Sequence, residues 1–357
     1  NTVLNIIDKL GACGINTLHL HLSDDQGFAI ESEVLDFHKG WSIEEQNMIY
    51  ERCKQYNIDI IPEIDIPGHT IALRSIFEGK YEPLEKMGTI SHGLISLDDM
   101  PKILDLFTEV HERFHSKYFH MGGDETKGAK KVYFQTIVDQ VCEWANEHDI
   151  IPIAWEDVLS KVDPPDNLII HKWIPRTYPP VAKKLEQIGN ERIINSVGYY
   201  LDTCVDIFTS YRLKIKPGIF GCIVCCWGEL IGNENIMQTV FPAIYLFNQR
   251  WIDDDINNPT SVIIDKCNKY GWPTEGLQNT WKRKQWRGFI KDETKEIPPR
   301  SSSSITTNIK MTREQDQYPL MSNALIYMAR DIKDTINGVN PSEEYIQQHT
   351  QFMIEPG

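Results

Sequence analysis

The feature that most constrains the fold is a regular alternation of short β-branched segments with amphipathic segments over residues 1–252. Seven segments have the composition of buried strands: NTLHLHLSD (16–24), IDIIPEIDI (58–66), KYFHMGGDE (117–125), IIPIAWED (150–157), NLIIHKWI (167–174), RIINSVGYYLD (192–202) and GCIVCCWGE (221–229). The segments between them, such as SIEEQNMIYERCKQYN, repeat apolar residues every three or four positions, which is typical of helices. This order predicts repeated βα units around a parallel sheet.

Seven strands are one fewer than a (β/α)8 barrel requires. The chain begins in NTVLNIIDKLG, where Val3, Ile6, Ile7 and Leu10 share one helical face. We therefore expect an α/β fold of the TIM-barrel type that lacks its first strand. Since the chain starts without Met or a signal-like segment, we also expect it to be a piece of a longer protein.

The sequence changes character after about residue 252. DDDINNP, WKRKQWRG and KEIPPRSSSS are polar and irregular, which is typical of linkers. A final helix is predicted from apolar residues at helical spacing: Leu325, Met328, Ala329, Ile332 and Ile336. The predicted organisation is therefore a catalytic barrel over 1–252 and a linker with a helical C-terminal extension over 253–357.

Charge and composition limit the classes of partner. The formal net charge of -15 disfavours nucleic acid, whose binding depends on cations that neutralise phosphates. WKRKQWRG could still bind single-stranded nucleic acid, although a basic helix with packed tryptophans is the simpler interpretation. No run is apolar enough to span a membrane. Eight dispersed cysteines favour buried thiols over a disulfide framework, and no usable N-glycosylation sequon occurs, so the compartment stays open.

Polar or aromatic side chains follow each of the seven strands, where a barrel places its chemistry. Asp124 and Glu125 are the most informative, because two adjacent acids follow a glycine pair. On a regular strand they would point to opposite faces and could not flank one glycosidic bond unless the backbone bends. In some glycosidases the 2-acetamido oxygen of the substrate attacks its own C1, one acid protonates the leaving group and a neighbouring carboxylate orients the acetamide.

Six motifs together resemble glycoside hydrolase family 20, the β-N-acetylhexosaminidases: NTLHLHLSDDQGF, PEIDIPGH, HMGGDE, AWED, YYLD and CWGE. The resemblance covers about residues 1–252. It implies an exo-acting enzyme that releases terminal β-linked GlcNAc or GalNAc with retention by substrate-assisted catalysis. It also implies glycans with terminal N-acetylhexosamine as partners, no metal or cofactor, a possible homodimer, and a lysosomal or secreted location.

The resemblance assigns roles to individual residues. Glu125 would be the general acid and base, Asp124 would hold the acetamide and the oxazolinium, and Tyr200 would donate to the acetamide oxygen. The remaining candidates would bind substrate or form a polar relay near the acid: Trp155, Trp173, Trp227, Asp202, Glu229, Asp24 and His69. His120 is expected to be structural.

Family members carry a sugar-binding arginine on the first barrel strand, which would precede Asn1. Its absence would weaken substrate binding and could leave the barrel open. A glycan-binding relative with impaired catalysis is therefore an alternative. A second alternative is a metal-dependent amidohydrolase, because His19 and His21 have the spacing of zinc ligands, but later strand ends offer few further histidines.

Overall fold

A closed barrel of eight parallel strands organises the protein in this computed structural model. The structure describes residues 2–81, 94–126, 128–175, 177–201 and 218–227, a few positions between 236 and 269, and the backbone of residues 321–328. Neighbouring strands pair in sequence order, and the last strand returns to the first. The predicted (β/α)8 fold is confirmed.

The strands are β1 (Thr17–Ser23), β2 (Asp59–Ile64), β3 (Tyr118–His120), β4 (Ile151–Trp155), β5 (Ile169–Lys172), β6 (Ile193–Asn195), β7 (Gly221–Cys226) and β8 (Met321–Met328). The α-helices are α1 (Thr2–Ala12), α2 (Ile43–Gln55), α3 (Ile71–Phe77), α4 (Met100–Phe114), α5 (Lys131–Glu147) and α6 (Pro179–Ile188). Short 3-10 turns occupy Leu97–Asp99, Glu156–Ser160 and Asn190–Arg192. All seven predicted strands are present, each shorter than its predicted segment.

The eighth strand corrects the prediction for the C-terminal region. Residues 321–328 form a strand and not the start of a helix, so the predicted helix through Leu325 and Met328 is wrong over this range. β8 pairs in parallel with β1 on one side and with β7 on the other. It therefore occupies the place of a strand preceding α1 and closes the barrel that we expected to be open. Because β8 lies beyond residue 252, the barrel draws on both predicted parts of the chain.

The helices cover the barrel with the apolar faces that their sequences predict. In α1 the residues Val3, Ile6, Ile7 and Leu10 are all buried. α2 begins with a capping box, in which Ser42 accepts from the backbone N–H of Glu45 and the Glu45 carboxylate accepts from that of Ser42. These helices fix the strands whose carboxyl ends carry the polar residues.

The barrel interior is filled by side chains from strands β2–β7. Its apolar members form one buried cluster: Ile61, Tyr118, Ile153, Trp155, Ile169, Ile194, Ile223 and Cys225. Buried polar side chains come from β1, β2, β3 and β5: His19, Glu63, His120 and His171. The interior is thus a packed core with a polar part, on which the residues at the strand ends rest.

Six cysteines of the described residues are buried free thiols: Cys13, Cys53, Cys142, Cys222, Cys225 and Cys226. This agrees with the expected free thiols at these positions, whereas Cys204 and Cys267 lie outside the described residues. Among the helices of the described part, none has both the length and the apolar character needed to cross a membrane.

Candidate active site

The Asp124–Glu125 pair lies on a turn that follows β3. Gly122 and Gly123 have φ angles of 74° and 95°, in the left-handed region that favours glycine. A Cβ atom at Gly122 would lie 1.8 Å from Oδ1 of Asp65, so no larger residue fits there. Glu125 itself has a φ angle of 47°. This bend allows two neighbouring carboxylates to approach the same imidazole, which a regular strand would not permit.

That imidazole belongs to His69. Its Nε2 atom lies 3.6 Å from Oε2 of Glu125 and 3.9 Å from Oδ2 of Asp124, and its Nδ1 atom lies 3.2 Å from Oδ1 of Asp24. Burial alone would lower the pKa of His69, but the Asp24 and Asp124 carboxylates overcome this and raise it well above its usual value. The surrounding carboxylates thus favour the protonated form of His69, which faces both acids.

Asp124 is a largely buried carboxyl group. Burial raises its pKa to about 7, the negative charges of Asp157 and Glu125 add to this, and His69 opposes it. Asp65, whose own pKa burial raises well above the usual range, forms a hydrogen bond with Asp124. The Oδ1 atom of Asp124 is buried and has no hydrogen-bond partner among the described residues. The site thus contains an acceptor that a donor group of a ligand could satisfy.

Glu125 is more accessible, with 44% of its side chain exposed against 17% for Asp124. Its backbone N–H donates to Oδ1 of Asp157 at 3.4 Å. Oδ2 of the same Asp157 accepts from the indole N–H of Trp173 at 2.7 Å. Burial raises the pKa of Asp157, and the Trp173 bond partly offsets this. Asp157 thereby connects the acid turn to the aromatic residues after β5.

Four aromatic side chains gather at the carboxyl ends of β4–β7. Trp155 is buried, while Trp173, Tyr200 and Trp227 are partly exposed and pack against the interior cluster. The ring centroids of Trp155 and Trp227 are 6.2 Å apart, and those of Trp173 and Tyr200 are 6.3 Å apart. Such faces suit the apolar C–H groups of a sugar ring or an acetamide methyl group.

Residues 1–132 match the model of the glycosyl hydrolase family 20 catalytic domain. The matched segment is 132 of the 357 residues. The match includes the family 20 motifs through HMGGDE, and it confirms the resemblance that the motifs indicate.

Relatives with assigned names extend the similarity beyond the matched segment. The chain is 22% identical over 311 residues to the human β-hexosaminidase subunit beta, covering 72% of this chain and 54% of that protein. It is 24% identical over 295 residues to β-hexosaminidase 1 of Arabidopsis thaliana, covering 68% of this chain and 51% of that protein. The chain therefore spans about half the length of these relatives.

Solved family 20 structures share the barrel. The Flavobacterium johnsoniae chitobiase has a TM-score of 0.63 at 22% identity, covering 80% of this chain and 49% of that chain. A mutant Streptomyces plicatus β-hexosaminidase in complex with GlcNAc has a TM-score of 0.58 at 20% identity, covering 70% and 64% of the two chains. These similarities establish the fold.

The family 20 candidates fall into three groups in the structure. Asp24, His69, Asp124 and Glu125 form one charged cluster. The aromatic candidates Trp155, Trp173, Trp227 and Tyr200 form the neighbouring wall. Asp202 and Glu229 lie outside the described residues.

The family resemblance gave no role to four further residues of the charged network: His21, Glu63, Asp65 and Asp157. Glu63, Asp65 and Asp157 lie at strand ends, and the sequence predicted that location. Their contacts could not be predicted, because the partner residues come from other strands. His21 is 3.1 Å from Asp24 and 2.9 Å from Glu63, and continues the network into the barrel.

In the part of the chain that the structure describes, three sets of residues have ligand atoms close enough to share a metal ion: His19, Glu63 and His120; Asp24, Asp25 and His69; and Asp65, His69 and Asp124. All three belong to the same charged network, in which imidazole nitrogens already face carboxylate oxygens. Ion pairing accounts for their proximity. The zinc spacing of His19 and His21 thus has another explanation, because both face Glu63.

Proposed function

We propose that the protein is an exo-acting β-N-acetylhexosaminidase that releases terminal β-linked GlcNAc or GalNAc with retention. In this reaction the acetamide oxygen of the substrate attacks C1, the leaving-group oxygen takes the proton of Glu125, and an oxazolinium ion forms. Water then opens the oxazolinium ion as Glu125 takes back a proton.

The observation that carries the proposal is the buried Oδ1 atom of Asp124 without a partner among the described residues. An acetamide N–H would satisfy this acceptor, and an unpaired buried acceptor otherwise costs about 1–3 kcal/mol. Because the acetamide gains positive charge as its oxygen attacks, an ionised Asp124 stabilises the transition state more than the ground state. The cation of His69 favours that ionised form.

The exposure of Glu125 fits the role of the acid. Its carboxyl group is partly open to solvent, where a leaving group and later a water molecule could reach it. The aromatic wall offers apolar faces to the acetamide methyl group and the sugar ring. The alternative of a catalytically impaired glycan-binding relative was based on a missing strand and its arginine, and the closed barrel supports the enzyme on the first of these two grounds.

The test is kcat/KM on an aryl β-N-acetylglucosaminide and on the matching aryl β-glucoside, which lacks the acetamide. We expect cleavage of the first and at least ~10³-fold slower cleavage of the second, since the nucleophile is missing. Equal rates on both substrates would exclude substrate assistance. Sugar binding without cleavage of either substrate would support the impaired glycan-binding relative instead.

A further inference from the structure

Glu63 is a fully buried carboxylate inside the barrel, and the proposed mechanism gives it no role. Its Oε2 atom lies 2.9 Å from Nε2 of His19 and 2.9 Å from Nδ1 of His21. Its Oε1 atom accepts from the indole N–H of Trp155 at 2.9 Å and lies 3.1 Å from Nδ1 of His120. One carboxylate therefore contacts groups from β1, β3 and β4.

A series of alternating carboxylates and imidazoles leads from Glu63 to the acid turn. His21 faces Glu63 through Nδ1 and Oδ2 of Asp24 through Nε2, at 3.1 Å. Oδ1 of Asp24 faces Nδ1 of His69, whose Nε2 atom lies 3.6 Å from Glu125. Each intermediate member thus uses one atom toward the barrel interior and another toward the acid turn.

The charges along this series alternate. Burial would raise the pKa of Glu63, but the facing imidazoles of His120, His21 and His19 hold it well below its usual range. Burial would lower the pKa of His21, but Glu63 and Asp24 raise it well above its usual value. Burial would likewise raise the pKa of Asp24, yet His69 and His21 hold it well below the usual range.

Other titratable groups around His21 and Glu63 come from several strands. His19 on β1 is neutral, because burial lowers its pKa to about 4 despite the opposing effect of Glu63. On β5, burial and the neighbouring His120 and His19 hold the pKa of His171 well below its usual value. Asp65, directly after β2, has a pKa that burial and Asp124 raise well above the usual range. Burial disfavours a charge on His19 and His171, whereas Glu63 and Asp24 favour the protonated form of His21.

His120 links the same carboxylate to a second chain of hydrogen-bonding groups. The backbone N–H of Gly122 donates to Nδ1 of His120, which leaves Nε2 to face Nδ1 of His171 at 3.3 Å. Nε2 of His171 in turn lies 2.6 Å from Oγ of Ser196, whose hydroxyl donates to the carbonyl of Ile223. His120 meets the acid turn at the backbone N–H of Gly122, whereas the branch through His171 and Ser196 leads away from that turn. The side-chain path from Glu63 to Glu125 runs through His21.

We propose that Glu63 is a positioning residue for the proposed hydrolysis, which fixes the Asp24–His69 pair through His21 and fixes the indole of Trp155 through a direct hydrogen bond. The inference rests on the proposed function. Through these contacts, one buried side chain supports two parts of the site, the charged cluster and the aromatic wall.

Two substitutions separate the two contacts. Glu63→Gln keeps an oxygen that can accept from the Trp155 indole but removes the charge that faces His21. Trp155→Phe removes the indole N–H and leaves the Glu63 charge. We expect Glu63→Gln to lower kcat roughly 10- to 100-fold, with KM changed less than about threefold. It should also move one limb of the pH profile of kcat/KM by about half a unit or more. Trp155→Phe should mainly raise KM and leave the pH profile in place.

Glu109→Gln is the matched control, because Glu109 is also a mostly buried glutamate, which accepts from Ser32 and from the backbone N–H of Glu33 on the outer surface of the barrel. It should leave both the rate and the pH profile unchanged. A folded Glu63→Gln protein with the wild-type pH profile and a kcat within twofold of wild type would overturn the proposal.

A measurement on the unmodified protein covers the case in which Glu63→Gln does not fold. The ¹⁵N chemical shifts of the histidine side chains report the protonation of each ring. We expect His21 with both nitrogens protonated at pH 7, and His19 and His171 neutral. A neutral His21 across pH 5–8 would overturn the proposal. This readout needs no turnover, so it is distinct from a failure of the proposed function, which would appear as an inactive wild-type chain.

Discussion

Asp157 accepts a hydrogen bond from the indole of Trp173 at 2.7 Å, and this bond fixes a negative charge close to Asp124. Asp157→Asn keeps an oxygen for the indole but removes the charge, so the pKa of Asp124 should fall from about 7. If Asp124 must be ionised, kcat/KM falls as the pH drops through that pKa. We expect the acidic limb of the kcat/KM profile to move about half a unit toward lower pH.

The exposed Asp163, which pairs with Lys131 and Lys184 on the outer surface, provides the control. Asp163→Asn should leave the acidic limb where it is. An Asp157→Asn protein whose limb moves toward higher pH, or not at all, would contradict the assigned charge effect.

Replacement of Glu125 tests the proposed acid. Glu125→Gln should lower kcat about 10²- to 10⁴-fold with KM largely kept, because the amide cannot donate a proton to the leaving group. The loss should be smaller on a dinitrophenyl glycoside, whose leaving group needs little protonation. The exposed Glu143 on α5 gives the control Glu143→Gln, which should be unchanged. An equal loss of kcat on the dinitrophenyl glycoside and on an aryl glycoside with a poorer leaving group would argue against Glu125 as the acid.

Replacement of Asp124 should raise the stability of the fold and lower the activity. Its folded pKa is raised above the unfolded value, so the folded state binds the proton more tightly and loses stability as the pH rises through about 7. Asp124→Asn removes this loss. We expect it to raise the unfolding free energy by on the order of 1–3 kcal/mol at pH 8, with a clearly smaller gain at pH 5, while activity falls. Denaturant unfolding at both pH values measures the difference, and an equal effect at the two values would refute it.

The barrel was predictable because its strands lie in short segments rich in β-branched and other apolar residues, such as IDIIPEIDI, which alternate with amphipathic segments. The ends of those strands were less predictable. KYFHMGGDE continues the apolar pattern, but the left-handed glycines end the strand at His120 and turn Asp124 and Glu125 toward His69. From the sequence we could say only that the two acids would need a bend in the backbone to act on one bond.

β8 could not be identified from local pattern. Leu325 and Met328 fit a helical face as well as a strand, because a short apolar segment carries no distinct period. Its state is decided by pairing with β1, some 300 residues away in the sequence. Glu63 was missed for a similar reason, since its bond to Trp155 joins residues 92 positions apart.

Arg330 follows β8 by two positions in the sequence and itself lies outside the described residues. The family resemblance expects a sugar-binding arginine on the strand that precedes α1, and β8 takes that place in the barrel. We therefore expect Arg330→Ala to raise KM about 10- to 100-fold, the effect of losing a charged hydrogen bond. Arg330→Lys should recover part of the loss, because lysine lacks the planar fork that binds two hydroxyls. Lys333→Ala is the control, and an equal effect there would refute a specific role.

Removal of β8 tests whether the C-terminal strand is part of the folded unit. A chain ending at residue 320 would leave β1 and β7 with unpaired backbone groups along two sheet edges. We expect it to lose cooperative thermal unfolding, or to unfold at least about 10 °C lower than the full chain, and to lose activity. A chain ending at residue 340 keeps β8 and Arg330 and should unfold within a few degrees of the full chain. If both truncations unfolded like the full chain, β8 would not be the strand that closes the barrel in solution.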